Sequence, residues 1–415
     1  MRLKLAASGW LLVVSWFVGL LSIGCSQPVA APDMEETAVM VDTAVPSTLV
    51  PEPTIELATT VPQSTDPLTL AWTYDVGDAI NHPPLPVSEV VIAVPVGGPV
   101  TAVNIADGTL RWQYAPVERI WDRAYASDGR SFFIGIEGGQ IVALDAGTGD
   151  VRWQKELGIN AQTPLYMADG VLYVPTTFVG PGLTANPQGQ AKLFALNPDD
   201  GTELWSFTTN NYILQTPTRA GDTVYIGGSY QAEVDADEGG PMRLYALSAV
   251  DGREKWVYES LDGYPKQLYA TETAVAYIAY QDFTIGVAAA NGQMLWRRDT
   301  GNWVPSLSGA GDAIYFGSAN TIVHAQNVAD GMPIWQFNIP EGTFNYVLGA
   351  PVPVDDTLYF LTQQGDIFAL EMGNGRQRWQ YATGILAART NPAVQDGWLF
   401  LGDADGMIHA YSLNP

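Results

Sequence analysis

The chain has 415 residues, room for two ordinary domains or for one large all-β domain. Its 19 Lys and Arg against 44 Asp and Glu leave a formal charge of -25, which repels phosphate backbones and anionic lipid surfaces and excludes nucleic acid as a natural partner. Three His and one Cys supply no ligands for a cysteine-type zinc site, a disulfide framework or an iron–sulfur cluster, whereas 13 Trp, 19 Tyr and 42 Gly describe a strand-rich, turn-rich globular chain.

The N-terminus reads as an export signal. Arg2 and Lys4 precede an uncharged stretch from Leu5 to Gly24, and the single cysteine, Cys25, follows at once. This layout resembles the bacterial lipoprotein signal, in which the cysteine thiol carries the lipid. An uncleaved apolar anchor and a soluble secreted form are the alternatives, and all three export the rest of the chain. Residues 26–67 are rich in Pro, Thr, Ala and Val and contain no aromatic residue, Lys or Arg, so they cannot build a core. A spacer of that length averages roughly 35 Å end to end. The expected organisation is therefore a signal at 1–25, a disordered linker at 26–67 and a folded domain at 68–415, held in the cell envelope outside the cytoplasm.

Past Pro67 a repeat dominates. Tryptophans stand at Trp72, Trp112, Trp153, Trp205, Trp256, Trp296, Trp335 and Trp379, mostly about 40 residues apart. The last seven each have glycine four residues upstream, and ten residues upstream six of them have alanine, with Gly286 the exception. Asp-Gly or Asn-Gly pairs such as Asp107-Gly108 and Asn291-Gly292 accept the positive φ of tight hairpins, so two antiparallel strands flank each turn. Upstream lie an aromatic strand, as in Val171–Val174, and a short strand often introduced by proline, as at Pro164 and Pro351. The unit is a four-stranded meander. Its last copy stops soon after Ala410 without a tryptophan strand, and the orphan strand around Trp72 supplies one. Closure of these fragments predicts an eight-bladed all-β propeller, with each tryptophan filling a gap between blades and its N–H finding an acceptor.

The pattern Ala-x5-Gly-x3-Trp resembles the tryptophan-docking repeat of pyrroloquinoline-quinone-type propellers and covers essentially all of 68–415. That resemblance implies two kinds of relative: quinone-dependent dehydrogenases, and non-enzymatic lipoprotein propellers such as the BamB family. In the latter the partner surface includes inter-blade loops, which here correspond to Thr208–Thr216 and Glu259–Lys266. The near-minimal repeats and the missing adjacent cysteines point to a protein-interaction or assembly scaffold with no catalytic residue, no metal and no cofactor. The alternative is a small-ligand or quinone-binding propeller, a relative of dehydrogenases using pyrroloquinoline quinone and calcium.

Two sets of residues are candidates for binding. Loops leading into the innermost strands bring Trp121, Asp122, Arg123, Lys266, Trp303, Tyr346 and Arg389, together with His82 and Asn391, towards the axis, where cations could clamp an anion and indoles could stack on a planar ligand. Ordinary solvated loop residues are the plainer reading. The second set follows from length. The tryptophan spacing widens to 52 and 51 residues around Trp205, against 39 to 44 elsewhere. Both enlargements fall between the second and third strands, at Thr176–Ala191 and Ser229–Met242. They raise a wall with apolar Phe178 and Leu183 and acidic Glu233, Asp235 and Asp237, suited to an envelope or membrane protein. Two carboxylate clusters, Asp235–Gly239 and Asp403–Gly406, lack EF-hand spacing and read as an acidic loop and a plain hairpin.

Overall fold

The computed structural model describes residues 66–177, 190–209, 213–229, 242–260, 265–279, 283–340, 346–347, 349–385 and 390–414. Within them, strands form eight antiparallel sheets, and none of the described residues is helical. Blade 2 shows the plan: Ile120–Ser127 is innermost, followed outward by Ser131–Ile136, Gln140–Asp145 and Val151–Glu156. All six residues of Ser131–Ile136 are buried, whereas Val151–Glu156 is partly exposed. Middle strands are continuous apolar runs because a neighbouring sheet covers each of their faces; outer strands keep a wet edge.

The core therefore lies between blades. It divides into eight clusters, each shared by two adjacent sheets. Ile92 and Trp112 of blade 1 pack with Phe132 and Ile134 of blade 2, and so on around the ring to Phe400 and Ile408 of blade 8, which pack with Val91 and Val103 of blade 1. The expected all-β, eight-bladed propeller is the observed fold.

Its repeating joint explains the spacing. The tryptophan of each fourth strand pairs across the sheet with the alanine ten residues earlier, as in Ala143↔Trp153, and where the residue is Gly286 a Cβ would sit 2.1 Å from the Trp296 ring. The indole then crosses to the next blade. Trp72, Trp112, Trp153, Trp205, Trp256, Trp296 and Trp335 donate Nε1–H to the carbonyls of Ile105, Ala146, Pro198, Ala249, Ala289, Val328 and Met372 at 2.8–3.0 Å. Each ring also lies on a glycine of that next blade. At Gly252, φ is +71° and a Cβ would stand 2.5 Å from Trp205 Cε3. The glycine four residues before one tryptophan thus receives the tryptophan of the preceding blade.

The turn holding that glycine is not the two-residue hairpin expected from the Asp-Gly pairs. Gly108 N–H reaches the Asn104 carbonyl at 2.9 Å, Asp107 Oδ1 accepts from Thr109 N at 3.0 Å, and only Gly108 has positive φ. The longer turn presents a flat backbone surface to the incoming indole. The tight turn with both central residues left-handed occurs instead between first and second strands, at Asp169-Gly170 (φ 46° and 72°) and Asp396-Gly397 (49° and 79°).

The eighth sheet closes the ring from both ends of the domain. Leu68–Asp75 pairs with Met407–Leu413, and Trp72 faces Ala410 as every other docking tryptophan faces its alanine. Asn414 fastens the seam, its backbone N–H to the Pro67 carbonyl at 2.9 Å and its Nδ2 to Asp66 O at 2.7 Å. Inside, His409 Nε2 lies 2.7 Å from Asp403 Oδ2, while Asp403 Oδ1 accepts from Asp405 N and Met407 N. Asp403–Gly406 is thus a hairpin, as the sequence suggested. Trp379 has no third-to-fourth-strand turn ahead of it, because the chain breaks there, and it packs on Tyr359 with ring centroids 5.8 Å apart.

Two predictions test these contacts. Gly252→Ala adds a steric clash to left-handed strain and should cost about 2–3 kcal/mol, whereas Gly170→Ala, with nothing near its Cβ position, should cost only about 1 kcal/mol. Paired denaturant titrations compare them; equal losses would deny the docking its role. The second concerns His324 of blade 6, which is buried, stacked on Phe316 at 4.8 Å, and bonded to Ser318 Oγ at 3.0 Å and Gln336 Nε2 at 3.3 Å. Burial pushes its pKa down to about 4. The unfolded chain therefore binds a proton that the folded one refuses, and stability falls as pH drops from about 6.5 through about 4, by about 3 kcal/mol in all. His324→Gln should flatten that part of a stability-against-pH curve relative to the parent.

Candidate functional site

First strands run from the face carrying the inter-blade connections to the opposite face, so antiparallel order returns every second-to-third-strand hairpin to the connection face. Backbone hydrogen bonds lock the two sets of loops together. The connection entering a blade accepts from its hairpin: Arg119 O from Glu137 N in blade 2, Asn160 O from Thr177 N in blade 3, Trp303 O from Ala319 N in blade 6 and Tyr346 O from Gln363 N in blade 7, all at 2.8–2.9 Å. The connection leaving a blade donates back, as Leu157 N does to Gly139 O and Ile339 N to Thr321 O. Loop residues on this face consequently have fixed backbones, which is what a recognition surface on loops requires.

The two long second-to-third-strand connections fall in the blades the sequence indicated: Val171–Pro175 and Lys192–Leu196 flank one in blade 3, and Thr223–Ser229 and Met242–Ser248 flank the other in blade 4, while residues 178–189 and 230–241 lie outside the described residues. Their bases are joined. Residues Ile213–Leu214, in the connection between these blades, form an additional strand on blade 4, pairing Ile213 with Ser229 and Leu214 with Gly228. Leu214 N donates to the Thr176 carbonyl at 3.3 Å, and Thr176 Oγ1 both donates to Lys192 O and accepts from Lys192 N at 2.8 Å. Thr209 Oγ1, just before this strand, lies 2.7 Å from the Tyr245 hydroxyl of blade 4. The root of one insertion, the connection and the root of the other form one bonded platform. Sequence reasoning missed that added strand because a two-residue strand has no periodicity; the only hint was Ile213-Leu214 following the polar Thr208–Asn211. Phe178, Leu183, Glu233, Asp235 and Asp237 lie outside the described residues, as does Arg389.

The axial candidates separate into groups. In blade 2, Trp121, Asp122 and Arg123 share the innermost strand. Asp122 Oδ2 is 3.8 Å from His82 Nε2, and the Arg119 guanidinium sits 5.2 Å above the Trp121 ring, whose N–H is buried without a partner among the described residues. Burial holds the His82 pKa below its ordinary value; Asp122 opposes the shift and Arg123 adds to it. Across the ring, Trp303 is 48% exposed and meets Tyr346 edge to face at 6.4 Å. Lys266 begins the innermost strand of blade 5, and burial lowers its pKa. No hydrogen bond, ion pair or ring contact among the described residues joins these three groups. Each could hold one end of a polar or planar ligand, but they do not form a single constellation of nucleophile, base and orienting group. Among the described residues, no three His, Cys, Asp or Glu side chains gather as metal ligands.

Comparison with known proteins bears on this geometry. The family model described as outer membrane protein assembly factor BamB matches residues 116–337 and 176–414. A relative of that name from Shewanella oneidensis is 22% identical over 418 aligned residues, covering 95% of this chain and 88% of the relative, and one from Escherichia coli K12 is 24% identical, covering 82% and 88%. Among solved structures, BamB from Moraxella catarrhalis superposes with a TM-score of 0.58 at 21% identity, over 83% of this chain and 97% of that one. A quinohemoprotein alcohol dehydrogenase from Comamonas testosteroni reaches 0.64 at 13%, over 84% and 76%, a likeness of fold alone. With the family model spanning the repeat from blade 2 to the seam, the chain belongs to the family of the outer membrane protein assembly factor BamB.

Proposed function

We propose that this protein is an assembly scaffold of the cell envelope, tethered to a membrane through lipid on Cys25, that engages a membrane-protein assembly partner with the connection face of blades 3 and 4. The observation that carries the reading is the bonded platform beneath the two insertions, where Thr176, Leu214 and Gly228 are joined by main-chain hydrogen bonds. Loops rooted on one rigid base lose less entropy on binding than loops that move separately. The relatives that share the family are named for outer membrane protein assembly, which suits a surface of this kind. Polarity adds to it: Leu68 pairs with Leu413, so the chain enters the propeller on the face opposite the insertions. On this reading Trp303 and Tyr346, on the same face, belong to the rim of the partner surface, and neither quinone nor calcium is required.

Shortening residues 177–190 and 230–241 to tight turns should preserve cooperative unfolding, because the other blades manage with short hairpins, and should abolish crosslinked recovery of the partner from native membranes. Undiminished recovery would remove the insertions from the interface. Cys25→Ser should abolish labelling by a fatty-acid probe and leave the signal attached; unchanged labelling would refute the tether. If the protein reconstituted with pyrroloquinoline quinone and calcium reduces dye with alcohols or sugars, and Asp122→Asn stops it, the enzyme reading replaces the scaffold.

A further inference from the structure

The face opposite the insertions carries a feature that the proposed function does not use. At the far end of the innermost strands, blades 8, 1, 2 and 3 leave a cavity of about 500 Å³ between them, within the range of pockets that take a ligand group. Its walls include Leu85 and Val87 of blade 1, Tyr125 of blade 2, and Leu165, Tyr166 and Met167 of blade 3, and no charged side chain lines it. Tyr125 presents its ring as an apolar wall, since its hydroxyl already donates to the Pro83 carbonyl at 2.6 Å and its ring stacks on Phe132 at 5.7 Å. Met167, which packs with blades 2 and 3, supplies an adaptable thioether, while the Tyr166 ring turns towards Tyr173 and the next gap. A comparable depression over blades 4 to 6 differs in kind, because Arg219, Glu272 and Asp312 line it.

Acidic turns ring this face. Every turn between a first and second strand carries an exposed acid: Glu89, Asp128, Asp169, Asp222, Glu272, Asp312, Asp355 and Asp396, one from each blade. Asp222 is paired with Lys255 at 2.7 Å and Asp169 with Arg219 at 3.2 Å. Glu272, Asp312 and Asp355 have no ion pair among the described residues, so this cavity is set apart by its uncharged walls rather than by its acids. Glu89, Asp128 and Asp396, from three of its four blades, have no ion pair among the described residues, and Arg130, in the same turn as Asp128, reaches away to Asp199 at 3.7 Å. An uncharged, aromatic-walled cavity inside a rim of uncompensated carboxylates excludes anionic lipid and acidic peptide. It suits a large apolar side chain flanked by cations.

We propose that this mouth is a docking surface for a basic polypeptide segment, one of whose aromatic or aliphatic side chains enters the cavity between Leu85, Tyr125 and Met167 while neighbouring Lys or Arg residues meet Glu89, Asp128 and Asp396. The surface is independent of the insertions and of the partner assigned to them. The turn acids recur with the blade period, in Ala168-Asp169-Gly170 and Gly311-Asp312 for example, and whereas Asp169 joins its blade to the next through Arg219, Glu89, Asp128 and Asp396 make no such ion pair among the described residues.

The test uses the full-length protein in a neutral detergent and three fluorescein-labelled heptapeptides: three lysines on each side of a tryptophan, the same with glycine at the centre, and the tryptophan peptide with glutamates for lysines. By fluorescence anisotropy the lysine–tryptophan peptide should bind at least tenfold more tightly than either other. Met167→Lys, or Gln395→Lys on the opposite wall should the first unfold, should erase the advantage of tryptophan over glycine. The triple variant Glu89→Gln, Asp128→Asn, Asp396→Asn, whose residues suit the same turns, should weaken binding at least fivefold and flatten its salt dependence. Equal affinity for the tryptophan and glycine peptides would reduce the site to diffuse attraction and overturn the proposal. Preference for the glutamate peptide, or for phosphatidylglycerol vesicles over phosphatidylcholine ones, would overturn it as well.

Discussion

One contact, repeated around the ring, sets the geometry of the whole domain: the indole of a fourth-strand tryptophan lying flat on a left-handed glycine of the next blade and donating to the carbonyl three residues before that glycine. It makes three demands at once. The residue opposite the tryptophan on the third strand must be small, the turn ahead must expose bare backbone, and that turn must point a carbonyl at the indole. Alanine, glycine and an Asx-type turn meet them. Since every apolar cluster is shared between two sheets, no blade has a core of its own, and the contact converts eight marginal sheets into one closed unit.

Closure concentrates its irregularities at the seam. The sheet made from both chain ends has the alanine and the tryptophan, Ala410 and Trp72, but it cannot have the turn between third and fourth strands, so Trp379 loses the glycine and acceptor its counterparts enjoy. Other bonds gather there instead: the His409–Asp403 pair within the sheet and the Asn414 contacts to Asp66 and Pro67. The seam depends on pairing along seven registered positions, and on side chains that no other blade uses in this way among the described residues.

The two faces of the ring then diverge in chemistry because different turns meet on each. The connection face is knitted by hydrogen bonds between hairpins and connections, which gives the enlarged hairpins of blades 3 and 4 a common rigid root. The opposite face is a ring of tight turns whose left-handed positions favour Asp, Asn and Gly. Three of the eight turn acids, Asp169, Asp355 and Asp396, hold such positions, and acids unpaired among the described residues stand both over the apolar cavity of blades 8, 1, 2 and 3 and over blades 5 to 7.

Much of this was legible in the residues. Spacing alone gave the blade count, the four-stranded unit, the seam between the Trp72 and Ala410 strands, and the blades that carry insertions, because periodic packing imposes periodic residue types. The direction of the docking was not legible: the glycine and tryptophan adjacent in sequence belong to different joints, and only the blade-to-blade arrangement shows which ring meets which turn. Nor could the sequence distinguish the two hairpin turns, since Asp-Gly suits both and backbone hydrogen bonding decides. The axial residues looked like one group because all precede or begin innermost strands, yet His82–Asp122, Lys266 and Trp303–Tyr346 come from different blades and no hydrogen bond, ion pair or ring contact among the described residues joins them. The added strand at Ile213–Leu214 and the cavity at the opposite mouth depend on contacts between residues distant in the chain. Local patterns specify such residues individually; only tertiary structure decides that they meet.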